Sequence, residues 1–460
     1  MRSADTIAAI ATPPGRGGIG VVRVSGDRVP ALVADLLGRA LPPRVATLAA
    51  FRGAAGEVLD QGLALHFPAP HSYTGEHVVE LHGHGGPAVM RLLLARCVEL
   101  GARLAEPGEF TLRAYLNGKL DLAQAEGVAD LIDAATATAA RAAARSLSGE
   151  FSRAIRHEVD ALVELRMFTE ATLDFPEEDI DFLRRADAAG RLARIRGELA
   201  AIADRARQGA VLRDGLTIVL VGQPNVGKSS LLNRLSGDEV AIVTPIAGTT
   251  RDTVRSQIEL AGIPLAVVDT AGLRPTDDPI EALGIERAWA AVAQADLALV
   301  IVDVQGSGDG ITAADAAILA QLPAGLPRVV VHNKTDLAGL AARAESAAEG
   351  AEHAAPRAHV WLCAKSGEGV DLLRQQMLAA VGLHEDMEGS FLARARHLAA
   401  LQAAAGHLAA AAAHIAAPQP PLELFAEELR EAQGALSRIT GEFTADDLLG
   451  AIFSRFCIGK

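Results

Sequence analysis

The hydrophobic pattern changes texture several times along the chain. Over residues 1–118, short apolar runs at 19–24, 63–67 and 78–81 alternate with glycine and proline punctuation, which predicts strands joined by turns. A longer run over 87–100 predicts a helix, and the region reads as a small mixed α/β domain. From Lys119 the chain becomes alanine-rich, with apolar residues at helical spacing over 124–147 and 151–172. A break at Phe175-Pro176-Glu177-Glu178-Asp179 precedes another helical run from 180 to about 207, so residues 119–213 predict the first part of a helical domain. Strands and helices alternate from 216 to about 381, the signature of a doubly wound parallel sheet, assigned to residues 214–382. Helical texture returns from 391, and residues 383–460 are expected to complete the helical domain. The economical architecture inserts the α/β domain between two helical halves, since the termini of such a domain lie close together.

Length and composition narrow the class. At 460 residues, half of them apolar, the chain can bury several separate cores. A formal charge of -14 argues against coating nucleic acid through bulk positive charge, while leaving room for a local basic patch that holds RNA. Cys97, Cys363 and Cys457 are far apart and lack metal-ligand spacing, which predicts reduced thiols in the cytosol. No charged-then-apolar leader follows Met1, and no uninterrupted apolar run of about 20 residues is visible, so a cytoplasmic protein away from membranes is expected.

The chemistry centres on Gly222-Gln223-Pro224-Asn225-Val226-Gly227-Lys228-Ser229, between the apolar run 216–221 and a helical pattern that starts at Ser230. Strand, glycine loop and helix in that order make a phosphate-binding loop: backbone N–H groups turn inward, Lys228 reaches the outer phosphates and the Ser229 hydroxyl ligates magnesium. Asp269-Thr270-Ala271-Gly272 follows the apolar run 264–268, where a carboxylate supports the magnesium shell and the Gly272 amide senses a γ-phosphate. Asn333-Lys334-Thr335-Asp336 ends the run 328–332, and the Asp336 carboxylate suits the ring N–H and exocyclic amine of guanine, a donor pair that adenine lacks. Between them, Gly248-Thr249-Thr250-Arg251-Asp252 is a loop suited to close over magnesium and the γ-phosphate. Four ordered motifs point to GTP. The position after Asp-x-x-Gly is Leu273, which cannot orient a water as glutamine does. Asp277, Asp278, Glu281 and Glu286 are nearby acidic candidates, and Asn225 offers a hard oxygen toward the phosphates that would suit a monovalent cation.

The ends of the chain carry a resemblance. Residues 5–18 (Asp5-Thr6-Ile7-Ala8 to Gly17-Gly18), Ser72-Tyr73-Thr74-Gly75-Glu76, Glu80-Leu81-His82-Gly83-His84-Gly85-Gly86-Pro87, Pro107-Gly108-Glu109-Phe110-Thr111, Ala271-Gly272-Leu273-Arg274, Gly284-Ile285-Glu286-Arg287 and the tail Phe456-Cys457-Ile458-Gly459-Lys460 resemble the MnmE (TrmE) family of tRNA-modification GTPases over nearly the whole length. The resemblance implies an α/β plus α architecture: a folate-binding N-terminal domain that also dimerises, a helical domain, and an inserted Ras-like G domain.

It further implies a potassium-stimulated GTPase whose G domains pair across the dimer. By position, Ser229 and Thr250 match magnesium ligands, Asn225, Thr244, Ile246 and Thr249 match a potassium site, and Glu281 matches a carboxylate that places water indirectly. The nucleotide-contacting set then comprises Asn225, Val226, Gly227, Lys228, Ser229 and Ser230; Thr244, Pro245, Ile246, Ala247, Gly248, Thr249 and Thr250; Asp269, Thr270, Ala271 and Gly272; and Asn333, Lys334, Asp336, Cys363, Ala364 and Lys365. Cys363 stands where the family usually has serine, but the contact there is a backbone N–H at Ala364. Arg23, Glu80, Lys119 and Lys460 match positions tied to a formyltetrahydrofolate-type donor, and Cys457 matches a cysteine needed for modification. With an FAD-dependent MnmG (GidA)-type partner in a heterotetramer, such a protein adds an aminomethyl or carboxymethylaminomethyl group at carbon 5 of a wobble uridine in tRNA. A ribosome-assembly GTPase acting as an RNA-binding switch is the alternative, and a folate-dependent one-carbon transferase a third reading. His82 and His84 sit in a glycine-rich turn and are expected at the surface.

Overall fold

The computed structural model describes residues 5–174, 187–237, 255–269, 289–290, 292–307, 311–346, 358–383, 389–442, 452–453, 456 and 459. The chain divides into two compact units, one from residues 1–129, 146–198 and 400–460, the other from 130–145 and 199–399.

The first unit holds a six-stranded sheet of β1 (Ile7–Ile10), β2 (Gly20–Ser25), β3 (Thr47–Arg52), β4 (Val58–Phe67), β5 (Val78–Gly83) and β6 (Arg103–Leu104), in the order β3-β4-β5-β2-β1-β6. Among the described residues β1 and β6 pair in parallel, and the other neighbouring strands of this sheet are antiparallel. The helices Val29–Leu37 and Pro87–Glu99 cover one face, burying Leu32, Leu36, Leu93 and Cys97 against Val22, Phe51 and Leu81. Proline opens the second of these helices at a position whose N–H would be unsatisfied anyway. Burial alone pushes the Cys97 thiol up to about 12, against a weaker opposing pull from Arg96, so it stays protonated. Leu48 and Leu63 face each other across β3 and β4 yet remain 60% and 42% exposed, and Val58, opposite Arg52 at the other end of the pair, is 58% exposed.

The same unit contains the long helix Glu150–Asp174 packed along Leu422–Thr440. Phe151, Ile155, Leu162 and Leu165 form a buried stripe at helical spacing, answered by Leu429, Ala432, Leu436 and Ile439. Arg166 Nη1 donates to Gln433 Oε1 at 2.6 Å across that seam. Phe453 and Phe456 pack with Leu122, Ala125 and Tyr115, whose hydroxyl donates to the Gly441 carbonyl at 2.7 Å. Glu158, on the buried side of its helix, lies against Glu198; burial first, and the second carboxylate next, push it up to about 8.

The second unit is built on β7 (Leu216–Val221), β8 (Arg255–Leu260), β9 (Ile263–Asp269), β10 (Leu297–Asp303), β11 (Arg328–Asn333), β12 (Arg343–Ser346) and β13 (Ala358–Leu362), in the order β12-β13-β11-β10-β7-β9-β8. The five central strands run parallel, and β8 and β12 flank them antiparallel. Continuous apolar runs are what a sheet covered on both faces requires. Ile218, Leu220, Leu299, Ile301 and Val331 point into one core with Leu231 and Leu373, while Val219, Val221, Val300, Val302 and Val330 point into another with Val292 and Leu322. After β7 the chain builds one side of the sheet through β8 and β9, then crosses to the other side through β10, so strand order reverses at β7. This is the doubly wound order of a Ras-like G domain, and the reversal leaves a crevice at the carboxyl end of β7.

Sequence periodicity predicts one helix over 124–147, but the structure holds two, Leu122–Asp133 and Ala137–Leu147. The cause is Thr136: its hydroxyl accepts from Ala139 N at 3.1 Å, capping the second helix, and donates to Gly262 O at 2.7 Å. Residues 130–145 cluster with the sheet through such contacts, and buried Asp130 accepts from Arg213 Nε at 3.0 Å and Arg394 Nη2 at 2.8 Å. The helix Ala395–Ile415 is long and apolar enough, by length and composition, to cross a bilayer, unlike any run expected from the sequence. Its apolarity comes largely from alanine, and its stripe Leu401, Ala404, Leu408 and Ala411 is buried within the protein.

Candidate functional site

The loop after β7 is shaped by three residues at positive φ, Gly222 at 155°, Asn225 at 63° and Gly227 at 100°. A Cβ at Gly222 would stand 2.3 Å from the Ile301 carbonyl oxygen, and one at Gly227 2.2 Å from the Asn333 amide nitrogen, so neither position has room for a side chain. Asparagine is the residue type besides glycine that most readily accepts the left-handed region, which suits position 225. The helix Lys228–Gly237 begins at the loop and aims its N-terminal N–H groups toward the crevice. Lys228 Nζ lies over the loop, donating to Gly222 O at 2.9 Å and Gln223 O at 3.0 Å. Asn225, Ser229 and Ser230 are exposed, while Val226 is buried.

Asn333 ties this loop to the next two motifs. Buried at the end of β11, it donates from Nδ2 to Val226 O at 2.8 Å and accepts through Oδ1 from Ala364 N at 2.9 Å. One amide thus fixes the phosphate loop against the loop after β13. Lys334, at φ 68°, donates to Asp303 Oδ2 at 2.6 Å. Burial raises the Asp303 carboxyl, but Lys334 and the Gln305 N–H outweigh it and hold it below its ordinary value. Asp336 is exposed on the short helix Thr335–Ala338. Cys363 is buried and its Sγ accepts from Ser366 N at 3.4 Å, while Lys365 is exposed and gives its carbonyl to Arg234 Nη2 at 2.9 Å. Ser230, Asn233, Arg234, Ala364 and Lys365 line a cleft of about 320 Å³ beside the loop.

The backbone of Asp269 ends β9, with Asp269 in register with Leu220 of β7. The expected residues Thr244, Pro245, Ile246, Ala247, Gly248, Thr249, Thr250, Thr270, Ala271, Gly272, Leu273, Asp277, Asp278, Glu281, Glu286, Cys457 and Lys460 lie outside the described residues. Asp303 and Arg234 belong to the site but to none of the motifs, and nothing local in the sequence marks them.

A second candidate site lies in the first unit. The antiparallel register of β2 and β5 sets Arg23 opposite Glu80, with Nε and Nη2 at 3.0 and 2.9 Å from Oε1. The Arg23 guanidinium stands 5.5 Å from the Tyr73 ring centre and 5.7 Å from that of Phe110. Its Nη1 donates to Gly459 O at 3.4 Å, which brings the neighbour of Lys460 to the same place. Burial raises the Tyr73 phenol, opposed by Thr111 and Arg23, so it remains a neutral hydrogen-bonding group. His82 Nε2 lies 3.4 Å from Glu80 Oε2, whereas His84 is exposed against Asp60. Lys119 is exposed on an opening of about 470 Å³ shared with Tyr115, Asp121, Arg156 and Glu442. The pair Arg23–Glu80, walled by two aromatic rings, offers both a cation and hydrogen-bond acceptors to a flat polar heterocycle. Tyr73 and Phe110 lie inside the Ser72–Glu76 and Pro107–Thr111 motifs, but only the fold brings them to Arg23.

Two family models match the chain: the GTP-binding protein TrmE N-terminus over residues 6–119 and the MnmE helical domain over 122–457. A tRNA modification GTPase MnmE from Dechloromonas aromatica is 59% identical over 456 residues, covering 99% of both chains. Its counterpart from Thiobacillus denitrificans is 61% identical over 99% of this chain and 98% of that one, and that from Laribacter hongkongensis 60% over 99% of each. Among solved structures, Aquifex aeolicus Era bound to GDP.AlF4- overlaps at TM-score 0.28 and 26% identity, over 42% of this chain and 66% of that one. The fold assignment rests on strand order, not on that overlap.

Proposed function

This chain belongs to the MnmE family of tRNA modification GTPases, and on that premise we propose that its GTP hydrolysis is stimulated by potassium and drives modification of the wobble uridine. The product is an aminomethyl or carboxymethylaminomethyl group at carbon 5, made in the cytoplasm with an FAD-dependent MnmG-type partner. Asn333 carries the nucleotide half of the reading, because its single amide locks the phosphate loop to the guanine-side loop. In this reading Ser229 and Thr250 hold magnesium, Asn225, Thr244, Ile246 and Thr249 hold potassium, and Glu281 places the attacking water indirectly. Exposure of the Asn225 and Ser229 side chains at the loop is compatible with those roles. Magnesium and potassium would supply charge neutralisation on the phosphates when bound.

Arg23, Glu80, Lys119 and Lys460 are assigned to a formyltetrahydrofolate-type donor, and Cys457, three positions before Lys460 in the sequence, is assigned a part in the modification. The Arg23–Glu80 pair and its aromatic walls fit the polar edge of a pterin. Leu48 and Leu63, exposed opposite each other on β3 and β4, offer an apolar contact for a homodimer. GTP turnover by the purified protein is expected to rise at least about tenfold when sodium is replaced by potassium at equal ionic strength. Equal rates in the two salts would remove the potassium assignment. Mass analysis of tRNA nucleosides from a deletion strain tests the modification: the carbon-5 adducts should vanish, and their persistence would contradict it.

Asp336→Asn is expected to cut affinity for GTP at least about 100-fold and to transfer preference to xanthosine triphosphate, because the exchanged amide presents a donor where guanine also donates. Competitive binding of the two nucleotides measures this. Undiminished GTP preference would show that another group reads the base.

A further inference from the structure

The long helices of the first unit bring together a constellation that the GTPase chemistry does not use. His157 and Glu158 are neighbours on the helix Glu150–Asp174, and Glu198 approaches from the helix Ala188–Asp214. One donor atom from each of the three lies within 4.8 Å of the other two, and His157 Nε2 is 3.6 Å from Glu198 Oε2. Glu158 is only 1% exposed, and its Oε2 is buried with no hydrogen-bond partner among the described residues. Among the described residues neither carboxylate pairs with lysine or arginine. A buried carboxylate beside a second one is expensive unless a cation or a proton joins them.

We propose that His157, Glu158 and Glu198 form a site for a divalent cation of the zinc class that clamps these two helices. One imidazole nitrogen with two carboxylate oxygens is a borderline donor set, suited to Zn²⁺ and poorly matched to Mg²⁺, which prefers oxygen ligands in an octahedral shell. Ligand atoms around tetrahedral zinc stand about 3.4 Å apart, so side-chain rotations of about 1 Å close the present arrangement. His157 and Glu198 are 73% and 46% exposed at their side chains, which gives the ion an entry path and leaves a position for water. Because its ligands come from two helices, the bound ion adds its binding free energy to their packing.

The test uses the full chain, stripped of metal with a chelator and dialysed against Zn²⁺, with bound metal and thermal unfolding measured together. Wild type should bind one more equivalent per chain than His157→Gln or Glu198→Gln, and Zn²⁺ should raise its Tm by about 5 °C while leaving both variants unmoved. Cysteine-bound zinc contributes equally to all three and cancels. Both substitutions fall on exposed helical positions, and unchanged circular dichroism confirms folding. Equal stoichiometry in all three proteins would overturn the proposal. So would a Tm that Glu198→Gln raises without zinc and that zinc leaves unchanged in wild type, since the pair would then be held by a shared proton.

Discussion

Lys228→Ala should hydrolyse GTP at least about 100-fold more slowly than the native chain at saturating nucleotide. The ammonium is already held over the phosphate loop, anchored on the Gly222 and Gln223 carbonyls. Charge spreading onto the outer phosphate oxygens during hydrolysis needs a fixed cation, and a missing fixed donor in a water-poor site costs about 10²–10³ in rate. Alanine is the best helix former and Lys228 is the first residue of its helix, so the backbone should survive the change. Phosphate release and thermal unfolding, measured in parallel, separate the two effects. A rate within threefold of native, with folding intact, would mean that Lys228 does not bear on the transferred phosphate.

Arg113→Met should destabilise the first unit by about 3–5 kcal/mol. Arg113 is 4% exposed and meets three carboxylates: Asp5 Oδ1 at 2.7 Å, Glu109 Oε1 at 2.9 Å and Glu76 Oε2 at 3.1 Å. Methionine fills similar space and keeps the helix Glu109–Leu116, so the loss comes from buried charge left without its partner. Arg103 still reaches Asp5 and Glu109, but Glu76 would retain only Ser25 among these contacts. Urea denaturation should show the drop in midpoint.

Acid gives a second signature. Burial raises the Glu109 carboxyl, but Arg103, the Glu106 N–H and Arg113 outweigh it and hold it below the ordinary 4.5. The unfolded chain therefore takes up a proton before the native one does. The stability this contributes is complete above pH 4.5 and is lost as pH falls through the lower native value. Without Arg113 that native value rises toward 4.5, so the variant should lose less of its remaining stability between neutral pH and pH 4. A variant with native stability and a native acid profile would show that the network contributes nothing.

The central strands of the parallel sheet were legible because burial on both faces demands unbroken apolar runs; the run 216–221 coincides with β7. β3, β6 and β12 do not stand out in that way. They are edge strands or short ones with partly exposed positions, and their side chains carry no clean alternation. Alanine-rich sequence also hid the boundary at Thr136, because alanine continues a helix as well as it starts one and the only mark is one hydroxyl. The phosphate loop and the Asn333 motif are local in sequence and visible there. Neither the Asn333 bridge to Val226 and Ala364 nor the pairing of Arg23 with Glu80 could be read, since each depends on strand register between distant segments.

Arg23 donating to the Gly459 carbonyl spans 436 positions in the chain. A ribosome makes Arg23 early and Gly459 more than four hundred peptide bonds later, so the β2–β5 pocket stays unfinished until that late stretch has emerged. Residues 199–399 emerge before the stretch that completes the first unit. Nascent or truncated chains would thus acquire a nucleotide-binding fold before the other pocket is whole, and an added tag that displaces Gly459 would leave Arg23 short of one acceptor.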